Sequence, residues 1–269
     1  MAKDLMRLAA LAALSAATAC ATTGEGAQTG AAPARERADR AERPRIDRDA
    51  RQAIARQDAL TQMTFWAREY TQFPEDLEAA QRFSEALRMG ARPDRAAQVA
   101  ATALQSHEGD IPLTRTLGLA LLASGRTSDA IRPLALVAAS DPRNWRARSS
   151  LGVALDRAGR TTEARAAYQE ALAIEPNEPS VMTNLAVSHL MAGDPAEAER
   201  ILRQVTAMPN APPEARQNLA LAIGLQGRFS EAEQLARVDL PPQMAQANIA
   251  YMRSLLSDGR RWDDMRGSN

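Results

Sequence analysis

Cysteine is almost missing from this sequence: Cys20 stands alone in 269 residues. That excludes an intramolecular disulfide framework and every metal site built on several cysteines. Aromatic residues are scarce, at 4%, so a core must come largely from Ala, Leu, Val and Ile, which suits close-packed helices better than half-buried strands. Net charge is missing too, since 33 basic residues cancel 33 acidic ones. No strong field would gather phosphates or anionic lipid around the folded body, which argues against a nucleic-acid partner. Nearly all of the basic residues are Arg, with Lys3 the only lysine, and no function is drawn from that. What the chain does have is 45% apolar and 25% charged residues, the balance of an ordinary soluble fold.

The cysteine's position is informative. Met1 to Arg7 carries Lys3 and Arg7, Leu8 to Ala19 is an apolar run too short to span a bilayer, and small residues precede Cys20. This is the pattern of an export signal. Ala17-Thr18-Ala19-Cys20 resembles a bacterial lipobox, which implies a signal peptide over 1–19 and acylation of Cys20; a soluble export signal with an incidental cysteine is the alternative. Ala21 rather than Asp follows the cysteine, which by resemblance to lipoprotein sorting implies an outer-membrane lipoprotein facing the periplasm. Two or more acyl chains make a stable anchor, so the membrane is expected as a partner only through Cys20.

Residues 20–52 are rich in Ala, Gly, Thr, Arg, Glu and Pro, with almost no large apolar residue before Ile46. We read them as a tether. About thirty flexible residues reach roughly 30 Å.

From about Arg51 the chain repeats. Leu117, Leu151, Leu185 and Leu219 are each 34 residues apart, as are Gly125, Gly159, Gly193 and Gly227, and Ala130, Ala164, Ala198 and Ala232. Three columns sharing one period of 34 residues match the tetratricopeptide repeat (TPR). The clearest copy runs from Trp145 to Glu178, with Leu151-Gly152-x-x-Leu155, Ala164-x-x-x-Tyr168, Ala171 and Pro176. Gly152 and Ala164 are small where the helices of a hairpin approach most closely, and Gly159 suits a left-handed turn ending the first helix. Tyr168 is expected to fill the gap beside the next repeat, and Pro176 to stop the second helix. In Asp194-Pro195-Ala196-Glu197, Asp194 is expected to cap the next helix and Glu197 to complete a capping box.

The expected architecture is therefore all-α: a TPR superhelical solenoid of antiparallel helix pairs with a capping helix at each end. An N-terminal capping helix lies within 53–76, with residues 56–73 in second-helix position. About five repeats follow over 77–246. The first, at about 77–110, is worn: Phe83, Leu87 and Ala96 hold the expected columns, but the glycine turn is shifted to Gly90. A closing helix and tail occupy 247–269, where Asn248-Ile249-Ala250-Tyr251-Met252 echoes Asn218-Leu219-Ala220-Leu221-Ala222, because a solenoid must cover its last apolar face.

No catalytic constellation is visible. His107 and His189 sit in different repeats with no cysteine beside them, and His189 occupies a packing column normally filled by an apolar or aromatic residue, so it reads as a core or groove-edge histidine. Gly24-x-Gly26 lies in the tether without a strand before it or a helix after it, and is no dinucleotide loop. Glu197, Arg200, Glu231 and Glu233 read as solvated helix faces. Neither an enzyme, a metal, a cofactor nor a small-molecule substrate is implied.

The candidate site is a groove. In TPR superhelices certain first-helix positions line the concave surface. One such column holds Thr116, Ser150, Asn184 and Asn218, with Asn248 in the terminal helix; the next holds Leu119, Val153, Val187 and Leu221. Neighbouring first helices lie about 10 Å apart, near three residues of extended chain, so a ladder of amides would meet a peptide backbone at regular intervals. Polar residues tolerated at a wet face are the alternative reading of the same column. Trp262 in Arg260-Arg261-Trp262-Asp263-Asp264 reads either as a docking motif or as a frayed tail.

A lipobox-like leader, a polar tether and TPR copies closing with Gln217-Asn218-Leu219-Ala220-Leu221, Gly227-Arg228-Phe229-Ser230-Glu231-Ala232-Glu233, Asp239-Leu240-Pro241-Pro242 and Asn248-Ile249-Ala250-Tyr251-Met252 together resemble the TadD-type lipoproteins of the tight-adherence (Flp) pilus system. The resemblance implies a periplasm-facing outer-membrane lipoprotein that aids assembly or placement of the pilus secretin, whose subunit would be the protein partner held in the groove. A general envelope adaptor, serving outer-membrane barrel assembly or peptidoglycan enzymes, has the same sequence physics.

Overall fold

A computed structural model describes residues 48–257. The leader, Cys20 and most of the tether precede these residues, and Trp262 follows them. The described chain forms thirteen helices: α1 (Arg48–Ile54), α2 (Ala59–Gln72), α3 (Leu77–Met89), α4 (Pro93–Ala103), α5 (Ile111–Ala123), α6 (Thr127–Ser140), α7 (Trp145–Arg157), α8 (Thr161–Ile174), α9 (Pro179–Met191), α10 (Pro195–Thr206), α11 (Pro213–Leu225), α12 (Phe229–Ala236) and α13 (Pro242–Ser257). No strand occurs among the described residues. The helices fall into two compact units that divide between Val137 and Ala138.

Local chemistry sets the helix starts. Asp76, Asp110 and Asn144 accept hydrogen bonds from the backbone N–H three residues on, and Glu178 from that of Ser180, so an N-cap recurs every 34 residues ahead of each first helix. Asp194 caps α10 as expected, accepting from Glu197 N at 3.1 Å, with Pro195 in the first turn. The capping box is not completed: the Glu197 carboxylate is taken by Arg200 Nε at 2.8 Å.

The first helices end in a common turn. Arg126, Arg160, Asp194 and Arg228 each donate the backbone N–H to the carbonyl five residues earlier, at 2.9–3.2 Å, while the residue between takes a left-handed φ: Gly125 +79°, Gly159 +79°, Gly193 +76° and Gly227 +83°. This is the Schellman stop. The worn repeat corrects the expectation of a shifted turn. Arg92 N bonds Leu87 O at 2.9 Å in the same register, but the left-handed residue is Ala91, with φ +55°, and Gly90 sits at φ −79°. The turn has not moved; it has lost its glycine.

In the first unit, α2 packs on α3, α3 on α4 and α4 on α5, and the first helices α3 and α5 also touch. Gly118 lies so close to α6 that a Cβ there would meet the Leu134 side chain at 2.8 Å. Residues 53–76, expected as one capping helix, hold the end of α1 and all of α2. Arg51 fastens α1: its guanidinium bonds Asp76 at 2.9 Å, Glu78 at 2.9 Å and the buried Glu69 at 3.1 Å, and lies 5.6 Å from the Trp66 ring centroid. Hydrogen bonding to Asp76 raises the Arg51 pKa above its ordinary value.

In the second unit the hairpins α7–α8, α9–α10 and α11–α12 stack in order, with contacts along the row of first helices α7–α9–α11–α13. Helix α13 begins at Pro242, ahead of the expected 247, and lies on both α11 and α12. Its Met252 covers Gly224, where a Cβ would meet the sulfur at 2.7 Å. Glu199 ties α10 to the last hairpin: its two oxygens accept from Arg228 Nη1, at 2.8 and 2.7 Å, and the same carboxylate accepts from Gln226 Nε2 at 2.6 Å and Arg203 Nε at 2.8 Å. Burial works against its charge, but Arg228 and these other donors hold its carboxyl below the usual range.

One hairpin carries an unexpected polar layer. The Tyr168 ring packs over Gly152 of its own hairpin, where a Cβ would meet it at 2.5 Å. Its hydroxyl donates to Asp156, which also accepts from Ser188 Oγ of the following repeat at 2.9 Å. All three side chains are buried.

Candidate functional site

The first helices α7, α9, α11 and α13 of the second unit form one contiguous row, and it presents the polar column read from the sequence. Ser150, Asn184, Asn218 and Asn248 are each half-buried. Their hydrogen bonding differs. Ser150 Oγ donates to its own helix at Arg146 O, 2.9 Å, and Asn184 Nδ2 reaches across to Ser149 Oγ on α7 at 3.4 Å. The amides of Asn218 and Asn248 have no hydrogen-bond partner among the described residues. Each therefore keeps donors and an acceptor available to something beyond the described residues.

The apolar column is uniform. Val153, Val187 and Leu221 are all half-exposed, as is Leu119 in the first unit. In that unit, Thr116 is buried, and its hydroxyl donates to Glu85 Oε2 at 3.3 Å. Arg88 takes the same carboxylate at 2.8 Å and holds its pKa below the ordinary range. Thr116 thus faces the neighbouring first helix rather than solvent.

The sequence reading passed over one more column, one residue earlier in each first helix: Arg115, Ser149, Thr183 and Gln217. Ser149 and Thr183 are buried, and Thr183 Oγ1 donates to Pro179 O at 2.7 Å. Gln217 Oε1 is buried and has no hydrogen-bond partner among the described residues, which is costly unless a ligand or ordered water supplies a donor. Its signal was present as a polar column at the same period, adjacent to the asparagines.

Electrostatically the row is mild. Arg146 lies over its neighbour Trp145, 4.2 Å from the ring centroid, and Arg148 pairs with Glu170 of α8 at 3.4 Å. Amides and hydroxyls beside a strip of valine and leucine equip the row to hydrogen-bond an extended backbone and seat alternate apolar side chains. Among the described residues no group of three His, Cys, Asp or Glu is placed to hold a metal, and no helix is long and apolar enough to cross a membrane.

Antiparallel hairpins repeating every 34 residues, each closed by a left-handed turn and presenting its first helices in a row, define a TPR protein, a class of scaffold for protein–protein interaction. Two family models, both described as tetratricopeptide repeat, match residues 115–179 and 157–217. A search of curated proteins returns no match. Among solved structures, MamA from Desulfovibrio magneticus RS-1 is similar at 21% identity, with a TM-score of 0.55 over 59% of this chain and 90% of that one. MamA of MSR-1 is similar at 24% identity, with a TM-score of 0.52 over 63% and 92%. A thermophilic TPR protein from Thermus thermophilus is similar at 20% identity, with a TM-score of 0.54 over 66% and 99%. These likenesses establish the fold.

Proposed function

We propose that this protein is an envelope scaffold that binds an extended segment of a partner protein along the first-helix row of its second unit. The observation that carries the reading is the set of unmet hydrogen-bonding groups on that row, Asn218, Asn248 and Gln217 Oε1, alongside half-exposed Val153, Val187 and Leu221. The amides bond the partner's backbone; the apolar strip takes its side chains. Asn184→Ala with Asn218→Ala should weaken partner binding about tenfold or more, with helical circular dichroism unchanged. Unchanged affinity in the folded double variant rejects the ladder.

For the cellular role, the lipobox-like leader, the polar tether and the Leu240-Pro241-Pro242 junction followed by Asn248-Ile249-Ala250-Tyr251 support a TadD-type lipoprotein of the Flp pilus. In this reading Cys20 is acylated and holds the protein to the outer membrane, facing the periplasm. The row captures a segment of a secretin subunit, and the tether gives the scaffold roughly 30 Å of reach. Deletion should abolish assembled secretin and Flp pili, and a secretin segment should be crosslinked to a photoreactive group placed at Asn218. Normal pili after deletion, or crosslinking to a barrel-assembly or peptidoglycan protein instead, would replace this role with that of a general envelope adaptor.

A further inference from the structure

A second concavity, apart from the first-helix row, opens between α8, α9 and α10. Its volume is about 500 Å³, within the range of small-ligand pockets and ample for one large side chain. Met182, Leu185 and Ile201 line it as buried residues, joined by half-buried Leu172. Exposed amides of Gln169 and Gln204 stand on its border, as does the Glu197–Arg200 ion pair, whose members neutralise each other.

The pocket exists where the repeat departs from its own rule. In the column of Leu121, Leu155 and Ile223, all buried, the residue here is His189, whose side chain stays 19% exposed and lines the cavity. Its Nδ1 is buried with no hydrogen-bond partner among the described residues and lies 3.5 Å from Asp194 Oδ2. Asp194 thus stands on the Nδ1 side of the ring, away from Nε2. Nε2 has no hydrogen-bond partner among the described residues.

We propose that this pocket is a separate docking site for a tyrosine-type side chain of a partner peptide. The ring lies against Leu172, Met182, Leu185 and Ile201, and the phenol O–H donates to His189 Nε2. A phenol fits better than the alternatives for two reasons. Its oxygen both donates to an imidazole acceptor and accepts from the bordering amides, whereas an indole N–H only donates. A carboxylate would meet Asp194 beside the imidazole and an arginine already engaged by Glu197, so an anion is disfavoured.

The test uses the full chain, with His189 ring signals followed by NMR during titration with p-cresol, toluene and benzoate. Saturable shifts with p-cresol are expected, with toluene and benzoate each about tenfold weaker or more. His189→Leu, which restores the residue of the neighbouring columns, should abolish p-cresol binding as read by ligand saturation transfer. Asp194→Asn keeps the helix cap and should weaken p-cresol severalfold without changing toluene. The Asn184→Ala, Asn218→Ala pair should leave all three affinities unchanged, so failure of the peptide row and failure of this pocket are distinguishable. No saturable p-cresol shift, toluene or benzoate binding as tight as p-cresol, or full p-cresol affinity in His189→Leu would overturn the proposal.

Discussion

The hairpins α7–α8 and α9–α10 share a backbone plan and a turn, yet they fill one interior layer with opposite chemistry. In the first, the layer is Asp156 and Tyr168, bridged to Ser188; 34 residues on, the same columns are Leu190, Leu202 and Ala222. Both sets are buried, with Tyr168 1% and Leu202 0% exposed. The repeat geometry therefore fixes where a side chain goes without fixing its polarity. What differs is the source of stability: dispersion and dehydration in the apolar layer, and a hydrogen-bonded carboxylate in the polar one, where removing a partner leaves a buried acceptor unmet.

The largest effect should come from emptying the apolar layer. Leu202 is fully buried, and Leu202→Ala should cost about 4 kcal/mol, combining lost transfer free energy with a cavity its packed neighbours cannot close. Urea denaturation at pH 7 measures it. The loss should be equal at pH 5, since no titrating group is disturbed; a strongly pH-dependent loss would break the contrast between the layers.

The polar layer should respond to pH instead. Burial pushes the Asp156 carboxyl up to about 6, against the opposing hydrogen bonds from Ser188 and Tyr168 and the charge of Arg165. Burial and the Asp156 charge raise the Tyr168 hydroxyl in turn. Because the folded-state pKa exceeds the ordinary aspartate value of 3.8, the folded chain holds the Asp156 proton more tightly than the unfolded chain. This contribution to stability is fully present below about pH 4 and is lost as pH rises to about 6, a span of about 3 kcal/mol. Asp156→Asn keeps an acceptor for Ser188 and should flatten that part of the profile. Denaturation at pH 4, 5, 6 and 7 decides it: a variant with the parent slope would assign the pH dependence elsewhere.

Much of the fold was legible because a period constrains many residues at once. The glycine turns, the small Gly152 and the proline starts each answer to local sterics, and the structure places them in phase. The polar layer was not legible. Asp156 follows Leu155 and precedes Arg157, which reads as a helix turning its charged face outward, and its partners lie 12 and 32 residues away. Helix α1 was hidden for the same reason, since Arg51 gains its meaning only from Glu69, Asp76 and Glu78 brought to it by the fold. For the candidate site, the columns could be named from the period. Which members stay available could not, because Thr116 is taken by Glu85 and Asn184 by Ser149, both on the preceding first helix.

The smallest effect tests the feature that both hairpins hold in common. Gly159 and Gly193 take the left-handed turn without penalty, and the worn repeat forces Ala91 into it at φ +55°. A Cβ in this region costs about 1 kcal/mol, whereas glycine adopts it freely. Gly90, one residue earlier, is in ordinary right-handed space, so its own φ does not call for glycine. Ala91→Gly should therefore stabilise the chain by up to about 0.5 kcal/mol, after the greater entropy of glycine in the unfolded state is subtracted. Gly159→Ala should destabilise it by a similar amount, even though the added methyl would meet nothing within 4 Å. Paired thermal and urea denaturation of the two single variants measures both. If Ala91→Gly destabilises while Gly159→Ala does so as well, the worn repeat has a turn of its own rather than the shared one with its glycine lost.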